Sequence, residues 1–273
     1  MKKIIALVLA TIMIVGCVFS LASCSGGTYD GLVVLKTDDL FDIEEYGVAF
    51  RKNSDLAKRL DEMFAEVFKD GTAKTLATKY GCESGLVETF EKGKSTATST
   101  SDYDYIKNKG KLVIGVTVFE GFDTQDENGE WVGFDADMAK KFAEKLGVTA
   151  EFKEIEWDNK LVELESKAID CIWNGMTVTD AILNACEVSG SYMINGQVVV
   201  IKKGAFKSVD ELKNKTVAVE GGSAGYSQAT EKLKDSKIKE VSAQTDALLE
   251  VKAGTSDACV IDYLLAKTLL KAD

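Results

Sequence analysis

Twice along this chain a short apolar run leads into an amphipathic helix and on to another apolar run, and this repeat restricts the possible folds more than any other feature. Lys111-Leu-Val-Ile-Gly-Val116 opens the first unit. A near-continuous aliphatic stretch of this length reads as a strand buried on both faces. From Asp135, a candidate helix N-cap, Met138, Phe142 and Leu146 recur every fourth residue until Gly147 stops the helix. A strand over 151–155, a helix over 159–166 and a strand over 169–173 follow. The second unit begins at Lys215-Thr-Val-Ala-Val219 and passes through Glu220-Gly-Gly-Ser-Ala-Gly225 into a helix. A helix capped by Thr245 then leads to the strand Asp257-Ala-Cys-Val-Ile261. Leu164-Glu-Ser-Lys-Ala-Ile-Asp-Cys-Ile172 and Leu249-Glu-Val-Lys-Ala-Gly-Thr-Ser-Asp-Ala-Cys-Val260 are alike. Two such units predict an α/β fold of two lobes, sheets covered by helices, with a crossing strand at 197–201 between them.

Upstream, Ser54 heads a helix whose Leu56, Leu60, Met63, Phe64, Val67 and Phe68 share one face, ended by Gly71. A shorter helix runs to Tyr80-Gly81. The small polar stretch 91–102 reads as a flexible linker. Asn128-Gly129 predicts a hairpin turn. The surrounding acids are not a calcium loop, because the twelfth position counted from Thr124 is Asp135 rather than glutamate.

The N-terminus sets the compartment. Met1-Lys2-Lys3 is basic, residues 4–21 are almost wholly apolar, and Leu21-Ala22-Ser23-Cys24 follows. That order reads as a secretory signal; a cysteine at the cut resembles a lipoprotein signal, with Cys24 lipidated, although a run of this length could also nearly span a bilayer as a plain anchor. Removing the signal costs two lysines and no acid, taking the net charge from -11 to -13. So acidic a body argues against nucleic acid and anionic membrane surfaces as partners. With no histidine and no CxxC pair, the sequence carries no zinc-site signature. Cys171 and Cys259 sit in strand-like runs as small buried thiols; a bridge from Cys171 to Cys186 stays open. No cofactor is expected.

Several blocks resemble the polar amino-acid solute-binding proteins of ATP-driven (ABC) importers: Asn128-Gly-Glu-Trp-Val-Gly-Phe-Asp-Ala-Asp137, Trp157, Ile169-Asp-Cys-Ile-Trp-Asn-Gly-Met-Thr-Val-Thr179, Gly222-Ser223 and Asp257 to Asp262. Glu45-Tyr-Gly-Val-Ala-Phe-Arg-Lys52 and Asp70-Gly71-Thr72 match too, but they precede the blocks that they follow in that family. Reading 95–273 and then 28–81 restores the order. The resemblance therefore implies a two-lobed type II periplasmic-binding fold, circularly permuted, with the ligand cleft between lobes. Its parts would be a lipoprotein signal over 1–24, a returning strand of lobe 2 within 25–44, lobe 1 over 45–195 and lobe 2 over 196–273. Crossings near 42–45 and 194–197 form the hinge.

The resemblance implies a binding protein, not an enzyme, lipid-anchored outside the cytoplasm and serving an importer permease. It places the ligand's ammonium at Asp262, Thr177 and the backbone of Gly175, and an aromatic wall at Trp157. Gly222-Ser223-Ala224 opens a helix whose amides suit an anion. Phe119, Phe122 and Trp173 are further wall candidates; Glu120, Asp123 and Glu220 would line the cleft mouth and tilt it toward a cation. The family's carboxylate-binding arginine falls on Ile182, so the bidentate fork is missing. Two alternatives follow: a binder or engineered sensor for an amine lacking a carboxylate, in keeping with the absence of proline, and a dehydratase-like enzyme with Glu120 as general acid.

Overall fold

The computed structural model describes residues 28–37 and 40–270. The apolar segment 4–21 and Cys24 lie outside them, and none of the described helices is long and apolar enough to cross a membrane.

Along the chain come β1 (Leu32–Leu35), β2 (Ile43–Tyr46), β3 (Ala49–Arg51), α1 (Leu56–Lys69) and α2 (Thr72–Tyr80). After residues 91–100 follow α3 (Ser101–Lys109), β4 (Lys111–Val116), the hairpin β5 (Thr124–Gln125) and β6 (Trp131–Val132), α4 (Phe134–Leu146) and β7 (Thr149–Glu154). Next are α5 (Lys160–Glu165), β8 (Cys171–Ile172), α6 (Asp180–Ala185) and β9 (Cys186–Val188). The chain continues with β10 (Met193–Lys202), β11 (Thr216–Glu220), α7 (Ala224–Lys232), β12 (Lys237–Val241), α8 (Gln244–Ala253), β13 (Ala258–Asp262) and α9 (Tyr263–Leu270).

The strands form two main sheets. One has the order β7-β4-β8-β3-β9; the other runs β1-β10-β13-β11-β12, with β2 added beside β10. β10 joins both parts of the molecule. Its first half pairs antiparallel with β2, Asn195 opposite Glu44, and its second half pairs with β13 and β1. The two chain crossings therefore lie side by side as one antiparallel ribbon. β1 pairs with β10 in full register, Leu32 with Lys202 through Leu35 with Val199.

Around the first sheet, α1 buries Leu56, Leu60, Met63 and Phe64. Phe64 meets the edge of Trp173 with ring centroids 5.6 Å apart and packs on Tyr192 at 5.4 Å, so Trp173 is core rather than cleft wall. Arg51 ties α3 to the sheet: it bonds Asp102, Asp170 and the carbonyl of Ile169, while Lys109 reaches the other oxygen of Asp170. Paired in this way, the fully buried Asp170 carries its charge without an unanswered desolvation cost.

Several expectations need correction. Helix α3 begins at Ser101, inside the stretch read as a linker. Residues 91–100 are irregular but pinned, because buried Asp61 accepts from Gly93 and Gly190 amides at 2.8 and 2.7 Å. Gly133, not Asp135, caps α4; its φ of 136° and a Cβ position 2.0 Å from the Phe122 carbonyl oxygen leave room only for glycine. Asp55 and Ala243, rather than Ser54 and Thr245, precede α1 and α8. The four described cysteines are free. Cys171 and Cys186 flank β3 on opposite sides, paired to Phe50 and Arg51. An intervening strand puts their backbones about 9–10 Å apart, beyond disulfide reach.

Candidate functional site

A cavity of about 220 Å³ opens where the carboxyl ends of the parallel strands converge, the usual ligand position in open α/β sheets. β11 ends at Glu220 and β13 at Asp262 on one side; the segment after β8, Asn174 to Thr179, faces them from the other sheet. Strand ends gather chemistry here because the chain leaves the ladder and frees side chains and amides together.

Asp262 is 5% exposed. Its Oδ1 accepts from Asn195 Nδ2 at 2.6 Å and Gln197 Nε2 at 2.7 Å, and Gln244 Nε2 donates to Oδ2. Glu44 lies beside it: the same two amides donate to Glu44 Oε2 at 3.1 and 2.9 Å, and Gln228 Nε2 donates to Oε1 at 2.5 Å. Burial pushes both carboxyls above their ordinary range, and the charge of Asp262 adds to the shift at Glu44. Neither acid has a basic partner in the salt-bridge geometry of the described residues. Thr177 Oγ1 donates to Glu44 Oε2 at 3.2 Å, which turns the hydroxyl's lone pairs toward other donors. Asp262 from one side and Thr177 with the nearby Gly175 from the other thus bound a part of the cavity poor in positive charge and rich in acceptors.

Gly175 adopts φ 56°, and a Cβ there would meet Phe119 Cε1 at 2.5 Å. Its N–H donates to Asp135 Oδ2 at 2.8 Å. On the Asp262 side, Ser223 caps α7, accepting from Tyr226 N at 3.0 Å and donating to the Glu220 carbonyl at 2.8 Å. Ser223 and Ala224 therefore bring the first amides of a nine-residue helix to the cavity, an anion-favouring end. Trp157 and Ile182 add apolar wall, each largely buried. Ile182 N bonds Thr179 Oγ1 at 3.3 Å within the cap of α6, and its side chain belongs to the apolar cluster containing Trp157 and Met176.

Four expected residues lie elsewhere. Phe119 and Phe122 pack on each other at 4.6 Å inside the core beneath Gly175. Glu120 is exposed and does not line the cavity. Asp123 is also removed from the cleft mouth: fully buried, it accepts from Asn174 Nδ2 at 2.8 Å. Glu220, by contrast, is drawn inward from the mouth to 3% exposure.

Lys160, Gln197, Gln244 and Glu44 were not anticipated. Lys160 crosses the cleft, donating to Gly222 O at 2.8 Å and Trp157 O at 3.1 Å; burial lowers its pKa, with Glu220 opposing. Its sequence signal, one lysine among many on a short helix, is featureless. Gln197 and Glu44 did carry a signal: each is a polar residue at an inward position of a strand, where an unpaired group is costly.

The family described as bacterial extracellular solute-binding proteins, family 3, matches residues 112–259. The L-cystine-binding protein TcyJ of Escherichia coli is 29% identical over 61% of this chain, and the matched stretch spans 64% of that protein, just under two thirds. The glutamine-binding protein of Geobacillus stearothermophilus is 31% identical over 71% of this chain and 78% of its own length. Among solved structures, holo ArgBP from T. maritima is 37% identical and superposes with a TM-score of 0.58 over 62% of this chain and 76% of its own.

Proposed function

This chain belongs to the bacterial extracellular solute-binding proteins, family 3, and from that premise we propose that it captures a small amino acid outside the cytoplasm for an ABC importer. The observation that carries the reading is that one buried cleft presents both polarities: the acceptors of Asp262 and Thr177, and the amide end of α7. An ammonium is the group that answers a buried, amide-cradled acid, and a carboxylate is the group that answers a helix N-terminus. Free amino acids carry both on one carbon.

On this reading residues 45–195 and 196–273 act as the two lobes, the β2–β10 ribbon as hinge, and β1 as a strand returned to lobe 2 by circular permutation. The pairing of β1 with β10 supports that order, as does the irregular stretch 91–100 between the block that closes the family's chain and the one that opens it. The protein works as a binder without catalysis on this reading, which the exposed position of Glu120, the acid that a dehydratase would need in its pocket, supports. The rival ligand, an amine with no carboxylate, is favoured by one observation, the apolar Ile182 where an arginine would hold the carboxylate. Calorimetry with L-glutamine and with the corresponding decarboxylated amine separates the two: binding of the amine alone overturns the amino-acid reading.

Ile182→Arg is a second measure of the carboxylate. A charged hydrogen bond contributes about 1.5–3 kcal/mol, so L-glutamine binding should tighten at least tenfold. Weaker binding of every ligand would mean that the amides at Ser223 and Ala224 already satisfy the carboxylate. The lipid tether is tested separately: Cys24→Ala should release the protein from the membrane fraction or leave it unprocessed, and unchanged lipid labelling would refute Cys24 as the anchor.

A further inference from the structure

Glu220 differs from the other acids of the cleft. Asp262 and Glu44 have their oxygens occupied by side-chain amides. Glu220, at the end of β11 and 3% exposed, has a buried Oε1 that no described residue bonds, although its side chain lines the same cavity. A buried carboxylate oxygen without a donor is costly. Burial first, and then the charge of Asp262, push its carboxyl up to about 8.

Lys160, the cationic side chain of the lining, is directed elsewhere: its amino group is taken by the carbonyls of Gly222 and Trp157. The lining side chains thus hold two carboxyls, Asp262 and Glu220, against one ammonium. A zwitterion with a neutral side chain leaves the second carboxyl without a cationic partner. A ligand with one more cation provides that partner and supplies the donor that Glu220 Oε1 lacks.

We propose that Glu220 forms a second cation subsite, so that the cleft prefers ligands carrying two cationic groups joined by an aliphatic spacer, one at Asp262 and the other at Glu220. The apolar faces of Trp157, Met176 and Ile182 border the space in which the spacer would lie. The inference rests on the cleft being the ligand site and narrows the amino-acid reading to dibasic ligands.

Calorimetry with L-lysine, L-arginine, L-glutamine and cadaverine tests it. The unmodified protein should bind L-lysine or L-arginine at least tenfold more tightly than L-glutamine, the size of one charged hydrogen bond. Glu220→Gln should shrink that ratio at least tenfold, and Glu220→Asp, which keeps the charge, should restore part of it. Equal affinities for L-glutamine and the dibasic amino acids overturn the second subsite and leave the amino-acid reading standing, as does a ratio unchanged in Glu220→Gln. Cadaverine bound without any amino acid upholds the subsite and overturns the amino-acid reading. Failure of all four to bind at millimolar concentration overturns both.

Discussion

Replacing Asp262 by alanine is expected to raise the Kd for the cleft's ligand by more than a hundredfold. The acid ends β13 buried, and Asn195, Gln197 and Gln244 all converge on it. With the carboxylate gone, a bound ammonium has lost its counter-charge in a buried site, a change that costs about 3–5 kcal/mol. The three amides also lose their common acceptor. Asp262→Asn keeps the shape and separates charge from packing: binding should stay weak while melting recovers. The ligand-free protein gives an independent readout. Glu44 and Asp262 both have folded-state pKa values raised above the unfolded ones, so the folded chain holds the extra protons. Their contribution to stability is therefore full below the ordinary carboxylate pKa and is lost as pH rises through the raised values. Removing Asp262 takes away the second cause of the shift at Glu44 and should flatten that decline. Tight ligand binding retained in Asp262→Ala would disprove the assigned ammonium site.

Gly222→Ala should weaken binding by roughly ten- to a hundredfold through a different route, the approach of the two sides of the cleft. Gly222 sits on the β11–α7 turn at φ 65°, and a Cβ there would lie 2.5 Å from Asp158 Oδ1 and 2.8 Å from Asp158 Cα. Asp158 belongs to the facing part of the molecule, just before α5. A flexible side chain can rotate away; a backbone Cα cannot. The positive φ strains the variant whether the cleft is open or closed, so it lowers stability without altering affinity. The overlap with Asp158 arises only when the two sides meet, and overpacking of this kind costs about 1–3 kcal/mol. It also disturbs the Lys160 bond to the Gly222 carbonyl. Small-angle scattering with ligand present should show a larger radius of gyration than for the unmodified protein. An unchanged radius together with unchanged affinity would mean that this contact plays no part in closure.

Much of the fold was legible in the chain because it depends on local patterns. The aliphatic runs of β4, β11 and β13 and the four-residue repeat of α4 are one-dimensional signals of burial, and they require an α/β arrangement wherever the elements finally sit. The acid at the end of β13 and the Gly-Gly-Ser turn before α7 were readable for the same reason: strand ends are where polar groups can be functional. The hinge partnership of Glu44 with Asn195 and Gln197 was not readable, since it joins residues 151 and 153 positions apart and depends on the register of β2 against β10. Nor was the exclusion of Phe119 and Phe122 from the cleft. An aromatic near a strand end looks the same in sequence whether it faces a ligand or the core, and only the close approach of Gly175 to Phe119 decides it. Lys160 shows the limit most plainly. Its neighbours in sequence give it no distinction; its role comes from the Gly222 carbonyl, 62 residues away. The sequence by itself determined which segments are buried and which ends are polar, because burial is written in periodicity. Which polar ends meet, and with what net charge, was decided by the tertiary structure alone, because charge balance in a cleft is a property of distances between segments.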